Sequence, residues 1–170
     1  MDLPDLGLLI LRVVIGLVMA AHGAQKAFGW WQGPGYAAWR DMVGNMGFHP
    51  AELWAALSTA AELLAGLALA LGFLTPFAAA AVLAQAIVII GSVHWPYGFF
   101  NTENGIEYPL VLGGGALGIA LTGPGAFSLD AALGIAYSDT IRILLVGLGV
   151  LGALVALAVS RSATRAAPQP

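Results

Sequence analysis

The chain has 170 residues, 59% of them hydrophobic and 9% charged, with a mean hydropathy of +0.87. A soluble domain carries about a quarter charged residues, so composition places this chain in a membrane. A net charge of -3 offers no basic field for nucleic acid, and zero cysteines exclude disulfide exchange, thiolate nucleophiles, iron–sulfur ligation and Cys-based zinc sites within the chain.

Five apolar runs follow one another along the chain. The first extends from about Gly7 to Phe28. It is preceded by Asp2 and Asp5 where a signal peptide would be basic, and no A-x-A-like site follows it, so it is expected to be a retained span. "GWWQGPGYAAWRDMVGNMGFHP" comes next, with a short interfacial helix expected around Tyr36 to Met46. The second run, Ala51 to Leu71, starts after Pro50 with Glu52 in its first turn and stops at Gly72. The third, Pro76 to about Trp95, has Thr75 as its expected N-cap. The polar-aromatic loop "PYGFFNTENG" leads into the fourth, about Ile106 to Thr122, which is short for a span of ~20 residues. In "GPGAFSLDAALGIAY" a turn precedes a short helix capped by Ser128, with Asp130 in its first turn. The fifth run, about Thr140 to Val159, ends before Arg161 and Arg165.

The fold expected is an all-α, polytopic transmembrane helix bundle. Residues 1–139 form a four-helix bundle with interfacial loops, 140–160 an additional transmembrane helix, and 161–170 a disordered polar tail. Gly16/Ala20, Gly66/Ala70, Gly114/Gly118 and Gly149/Ala153 repeat a small-x-x-x-small spacing, which lets helix backbones approach closely in lipid. Trp30, Trp31, Trp39, Trp95, Tyr97 and Tyr108 fall near span ends, as an aromatic belt requires. Lys26, Arg40, Arg161 and Arg165 collect on one face and Arg142 on the other, which favours a cytoplasmic C-terminus and an outer N-terminus.

Ionisable residues inside spans mark functional or structural pairs. Arg12, Gly16, Met19, Gly23 and Lys26 share one helical stripe with His22 at its edge; Ser58, Glu62 and Gly66 share another. Arg12 and Glu62 are expected to form a deep ion pair. The alternative is a neutral Glu62 hydrogen-bonded to Ser58 or Gln85. Helix directions bring His22, Gln25, Lys26, His94 and Glu107 to one end of the bundle. The bland reading is interfacial anchoring and helix capping. The sharper reading is a polar pocket of His22, Lys26, His94 and Glu107 roofed by Trp95, Tyr97 and Phe99, where a quinone ring sits with His and Glu as proton carriers. Because His94 lies nearly opposite Gln85, both face inward only if the third helix unwinds before Pro96. The single pair His22/His94 is too weak a signal to expect haem, and no metal site is read. The glycines of "GPGAF" lack the strand and lysine of a phosphate loop.

"LRVVIGLVMAAHGAQKAFG", "ELLAGLALALGFLTP", the "H...GFF" after the third span, "GIEYPLVL" and "TGPGAFSLDAAL" together resemble the DoxX family of small prokaryotic membrane proteins over about residues 7 to 133. The most specific pieces are H-G-x-x-K-x-F-G and G-P-G-x-x-S-L-D. The resemblance implies a four-helix core, from which the fifth span departs, in a prokaryotic plasma membrane. It implies that polar family positions fall on Arg12, His22, Lys26, Glu62, His94 and Glu107. It also implies association with redox or detoxification enzymes, the family being named for the membrane subunit of a thiosulfate:quinone oxidoreductase. Three functions compete. The first is a quinone-linked membrane subunit of a redox complex with a soluble enzyme partner, the chain itself having no catalytic thiol. The second is a non-catalytic anchor or assembly factor. The third is a small-solute or proton transporter using Arg12, Gln85 and Glu62, although no inverted repeat is evident. A homo-oligomer is compatible with all three.

Overall fold

A computed structural model describes residues 2–166. The helices are α1 (Leu3–Phe28), α2 (Gly35–Asn45), α3 (Ala51–Leu71), α4 (Thr75–Ile89), α5 (Glu107–Thr122), α6 (Leu129–Ala132) and α7 (Asp139–Ala166), and the described residues contain no strand. A π-turn, Ile90–His94, and a 3₁₀ turn, Trp95–Tyr97, prolong α4. Four helices are long and apolar enough to cross a membrane: Leu3–Phe28, Ala51–Leu71, Thr75–Tyr97 and Asp139–Ser162. The fourth apolar run is not among them. As α5 it has 16 residues, or about 24 Å of helix against ~30 Å of hydrocarbon. The expected tail from residue 161 is also corrected: α7 continues to Ala166, and residues 167–170 lie outside the described residues.

Two helix backbones touch directly. A Cβ added to Gly16 would lie 2.5 Å from both Ala70 N and Gly66 O, and one added to Gly66 would lie 2.6 Å from Ala20 N. At Gly23 it would meet Leu63 N at 2.3 Å. The small-residue steps of α1 and α3 therefore interlock as their spacing predicts. α4 is the central helix, packing against α3, α5 and α7 with Ala79 and Val82 fully buried. α7 seats its own small step on α4, with Gly149 over the Ala80 carbonyl and Ala153 buried. Gly114 and Gly118 differ. Open space surrounds both, so their step packs against nothing among the described residues.

The α3–α4 turn departs from the expected capping. Gly72 and Leu74 both adopt left-handed backbone, at φ 66° and 46°, and Leu74 bears the steric cost of that region. Thr75 is the first helical residue of α4 and caps nothing. The two oxygens of Asp130 accept from Leu74 N and Thr75 N, each at 2.8 Å, so the cap comes from the far loop. Ser128 caps α6 as expected, accepting from Ala131 N at 3.1 Å. Burial, followed by the neighbouring Asp130 charge, pushes the Tyr137 phenol up.

Gly16→Ala should force α1 and α3 apart at a cost of about 1–3 kcal/mol, read as a lower Tm in detergent. Gly114→Ala, which enters open space, should leave Tm unchanged or raise it through helix propensity. Equal effects of the two would remove the distinction between the seams.

Candidate functional site

Side chains on a helix lean toward its N-terminus. Lys26, in the last turn of α1, therefore reaches back into the bundle and meets Glu62 of antiparallel α3, with Nζ 2.5 Å from Oε1. Glu62 is 1% exposed. Gln85 of α4 donates one amide hydrogen to the same Oε1 at 3.0 Å and the other to Ser58 Oγ at 2.8 Å. The indole of Trp39, from α2, lies 3.9 Å from the Lys26 ammonium and stabilises it through its ring face. Three helices are thus joined by one polar chain, Lys26–Glu62–Gln85–Ser58, under a fourth.

The expected Arg12–Glu62 pair does not form. The glycine contacts put Gly16 level with residues 66 to 70 and Gly23 level with 63, so Arg12 stands level with the Gly72 turn. Glu62 is ten residues from that level, ~15 Å along the axis. The side chain of Arg12 also leans away from it. Arg12 is fully buried, donates to the Phe127 carbonyl and lies within the field of Asp130. Its Nε and Nη1 find no partner among the described residues. Glu62 bonds to Gln85, as the alternative reading expected, but it is not the neutral acid of that reading: Lys26 pairs with it as its cation. Arg12, Gln85 and Glu62 therefore do not form one contiguous row.

The expected four-residue pocket also divides. His22 Nε2 lies 3.2 Å from the Tyr108 hydroxyl, with the rings edge-on at 5.9 Å. His94 Nδ1 bonds the Asn104 carbonyl oxygen at 2.5 Å, and Glu107 accepts from Asn101 N at 3.0 Å. These last two organise the loop between α4 and α5 and leave Lys26 to Glu62. All four residues do occupy one end of the bundle. Trp95, Tyr97 and Phe99 close no cavity over them, being 67%, 54% and 50% exposed. The helix does not end before Pro96 but runs on through the π-turn into the 3₁₀ turn, and His94 faces the loop rather than sharing the interior with Gln85.

The cavity lies elsewhere. A half-open cleft of about 250 Å³ lies between α3 and α7, with α4 as its floor and α2 and Phe48 above it. Trp54, Leu57 and Ala61 line one side, Gly152, Ala153 and Ala156 the other, and Ala84, Val88 and Val93 the floor. Ser58 and Gln85 are polar residues in this wall, and both belong to the chain leading to Glu62. Leu57 is 51% and Val93 38% exposed, so the rim opens sideways, where lipid would stand. Sequence reasoning named Ser58 only as a partner for Glu62, and Gln85 as such a partner or as part of a transport pathway with Arg12 and Glu62. It read Trp39 as a belt residue and did not see it bridging Lys26 and the cavity. The available signal was the direction in which Lys26 leans.

Apolar helices of spanning length around a buried ion pair define an integral, multi-pass membrane protein of the helical class. The DoxX family model matches residues 7–95, a little over half of the chain. The chain belongs to the DoxX family. That match contains Lys26, Glu62, Ser58 and Gln85, while "GIEYPLVL" and "TGPGAFSLDAAL" lie beyond it. Comparison with curated proteins and with solved structures finds no match.

Removing one partner of the pair should be worse than removing both, because it strands a buried charge. Lys26→Met or Glu62→Leu alone should cost about 3–5 kcal/mol, and the double variant should recover most of it. Denaturation of the three proteins in one detergent checks this; single variants no less stable than the double would contradict the pairing.

Proposed function

We propose that the cleft between α3 and α7 takes an isoprenoid quinone from the bilayer, and that this protein is the quinone-linked membrane subunit of a redox complex. The observation that carries this reading is a sideways-opening apolar cavity whose wall includes Ser58 and Gln85, backed by the Lys26–Glu62 pair. An apolar cavity of about 150 Å³ holds benzene, so one of about 250 Å³ has room for a substituted ring. The donor set fits as well, because the Ser58 hydroxyl proton has no acceptor among the described residues and is free for a ring oxygen.

A bound quinone would supply two-electron redox capacity to the complex. The chain's own residues bind and orient. Apolar walls exclude water, Ser58 meets the ring oxygen, Gln85 holds Ser58 in place, and Glu62, fixed by Lys26, holds Gln85. With zero cysteines in this chain, any thiol step falls on this reading to a soluble partner enzyme. Localisation to a prokaryotic plasma membrane belongs to the same reading. So does a fifth, short crossing by α5, which begins at the Glu107 end and finishes where Ala126 N bonds Asp5. The termini then lie on opposite faces, with the C-terminus cytoplasmic.

Ala84→Phe should fill the cleft without touching the ion pair. Binding of a decyl-substituted benzoquinone to the purified protein in nanodiscs should fall at least about tenfold, roughly one good contact's worth, with Tm held or raised. Wild-type affinity in a folded Ala84→Phe protein would place any quinone elsewhere. Retention of partner enzymes without any quinone binding would favour the anchor reading.

A further inference from the structure

We infer that the cleft discriminates by hydrogen-bond polarity: it selects a lipophilic molecule carrying a hydroxyl over the carbonyl form of the same molecule. The inference rests on the reading that a quinone-class ring enters this cleft, and it concerns which oxidation state of that ring is held.

The selection starts at the ion pair. Glu62 Oε1 takes hydrogens from Lys26 and from Gln85, and a carboxylate paired with an ammonium is an acceptor only. It therefore fixes the orientation of the Gln85 amide. Were that amide turned over, its carbonyl oxygen would face the carboxylate at 3.0 Å and repel it. In the orientation present, both amide hydrogens are consumed, one by Glu62 Oε1 and one by Ser58 Oγ. The Gln85 carbonyl oxygen takes no hydrogen bond from the described residues and is not among the atoms sealed off without a partner. Since Gln85 lines the cleft, that oxygen is what its side chain has left to offer there.

Ser58 completes the pair. Its oxygen is occupied by the Gln85 hydrogen, so its own proton is the free group. At Ser58 and Gln85 the cleft therefore presents one acceptor, Gln85 Oε1, beside one donor, the Ser58 hydroxyl; Ser92, further along the wall, gives its proton to the Val88 carbonyl. A hydroxyl on the ligand satisfies both, donating to Gln85 and accepting from Ser58. A carbonyl satisfies Ser58 alone and buries the Gln85 oxygen unpaired. A buried polar group left without a partner weakens binding by about tenfold or more. The hydroquinone is thus the form the cleft holds, and the quinone the form it releases.

The test is equilibrium binding to the purified full chain in nanodiscs under anaerobic conditions, with three probes: a decyl-substituted benzoquinone, its hydroquinone and the dimethyl ether of that hydroquinone. The hydroquinone should bind about tenfold more tightly than the quinone. The ether, which has no hydrogen to donate, should lose the same advantage. Gln85→Met leaves the Lys26–Glu62 bond in place and should bring the hydroquinone-to-quinone ratio to about one. Glu62→Gln frees the amide to turn over and should lower the ratio as well; if that variant does not fold, Gln85→Met decides. Equal wild-type affinity for quinone and hydroquinone, or a ratio that survives in Gln85→Met, overturns the inference while leaving the quinone reading intact. Failure of all three probes to bind overturns that reading, and this inference with it.

Discussion

Direct contact between the backbones of α1 and α3 is the constraint on which the other features rest. With Gly16 against Gly66 and Ala70, and Gly23 against Leu63, neither helix can slide or rotate without a main-chain collision. In lipid, where burial of apolar side chains supplies little drive, this close approach is a principal source of helix association. It also sets the level of every side chain on the shared stripe. Lys26 arrives two residues above Glu62 and leans down to it. Arg12, on the same stripe, leans the other way and ends beneath the Gly72 turn. Two basic residues on one face of one helix thus serve opposite ends of the bundle.

At the end opposite Lys26, the loop after α5 acts as a clamp. Asp130 is fully buried and holds the first amides of α4. Phe127 offers its carbonyl to Arg12. Gly72 leaves no room for a side chain, because the Arg12 guanidinium fills the space a Cβ would need. The strained Leu74 conformation persists because Asp130 takes the amide that conformation exposes. This node immobilises the N-terminal end of α4, and with it the phase at which Gln85 faces α3.

At the other end, α4 changes phase. The π-turn at Ile90–His94 inserts extra residues into the helical path, bringing Ser92 and Val93 to the cleft and His94 to the loop. Such turns recur at functional sites because they re-aim side chains without ending the helix. Here the turn lets one helix serve the cleft and the α4–α5 loop. The buried pair beneath it gains from its neighbours, since desolvation of two charges is offset only when further hydrogen bonds and favourable fields are present. Gln85 supplies the former and the Trp39 ring face the latter.

Membrane residence, the helices, most of their boundaries to within a few residues (the end of α7 excepted) and the interlocking small-residue steps of α1, α3 and α7 were legible in the sequence. All of these follow from local hydropathy and from spacing along one helix. Which charged residues lie inside apolar runs was legible too, because a charge there stands out wherever it points; the clamping role of Asp130, in a loop, was not. Their partners were not. Depth counted along the chain brought Arg12 within reach of Glu62, but packing register and the lean of each side chain decided otherwise. The cleft was equally hidden: its walls come from α2, α3, α4 and α7, and none of their apolar residues differs in pattern from an ordinary core or lipid-facing one. Sequence by itself determined which residues cannot be left in lipid without a partner, since that is a property of each side chain. Only the tertiary structure decided which partner each one found, because that depends on the relative height of two helices, and a contact between glycine backbones sets that height.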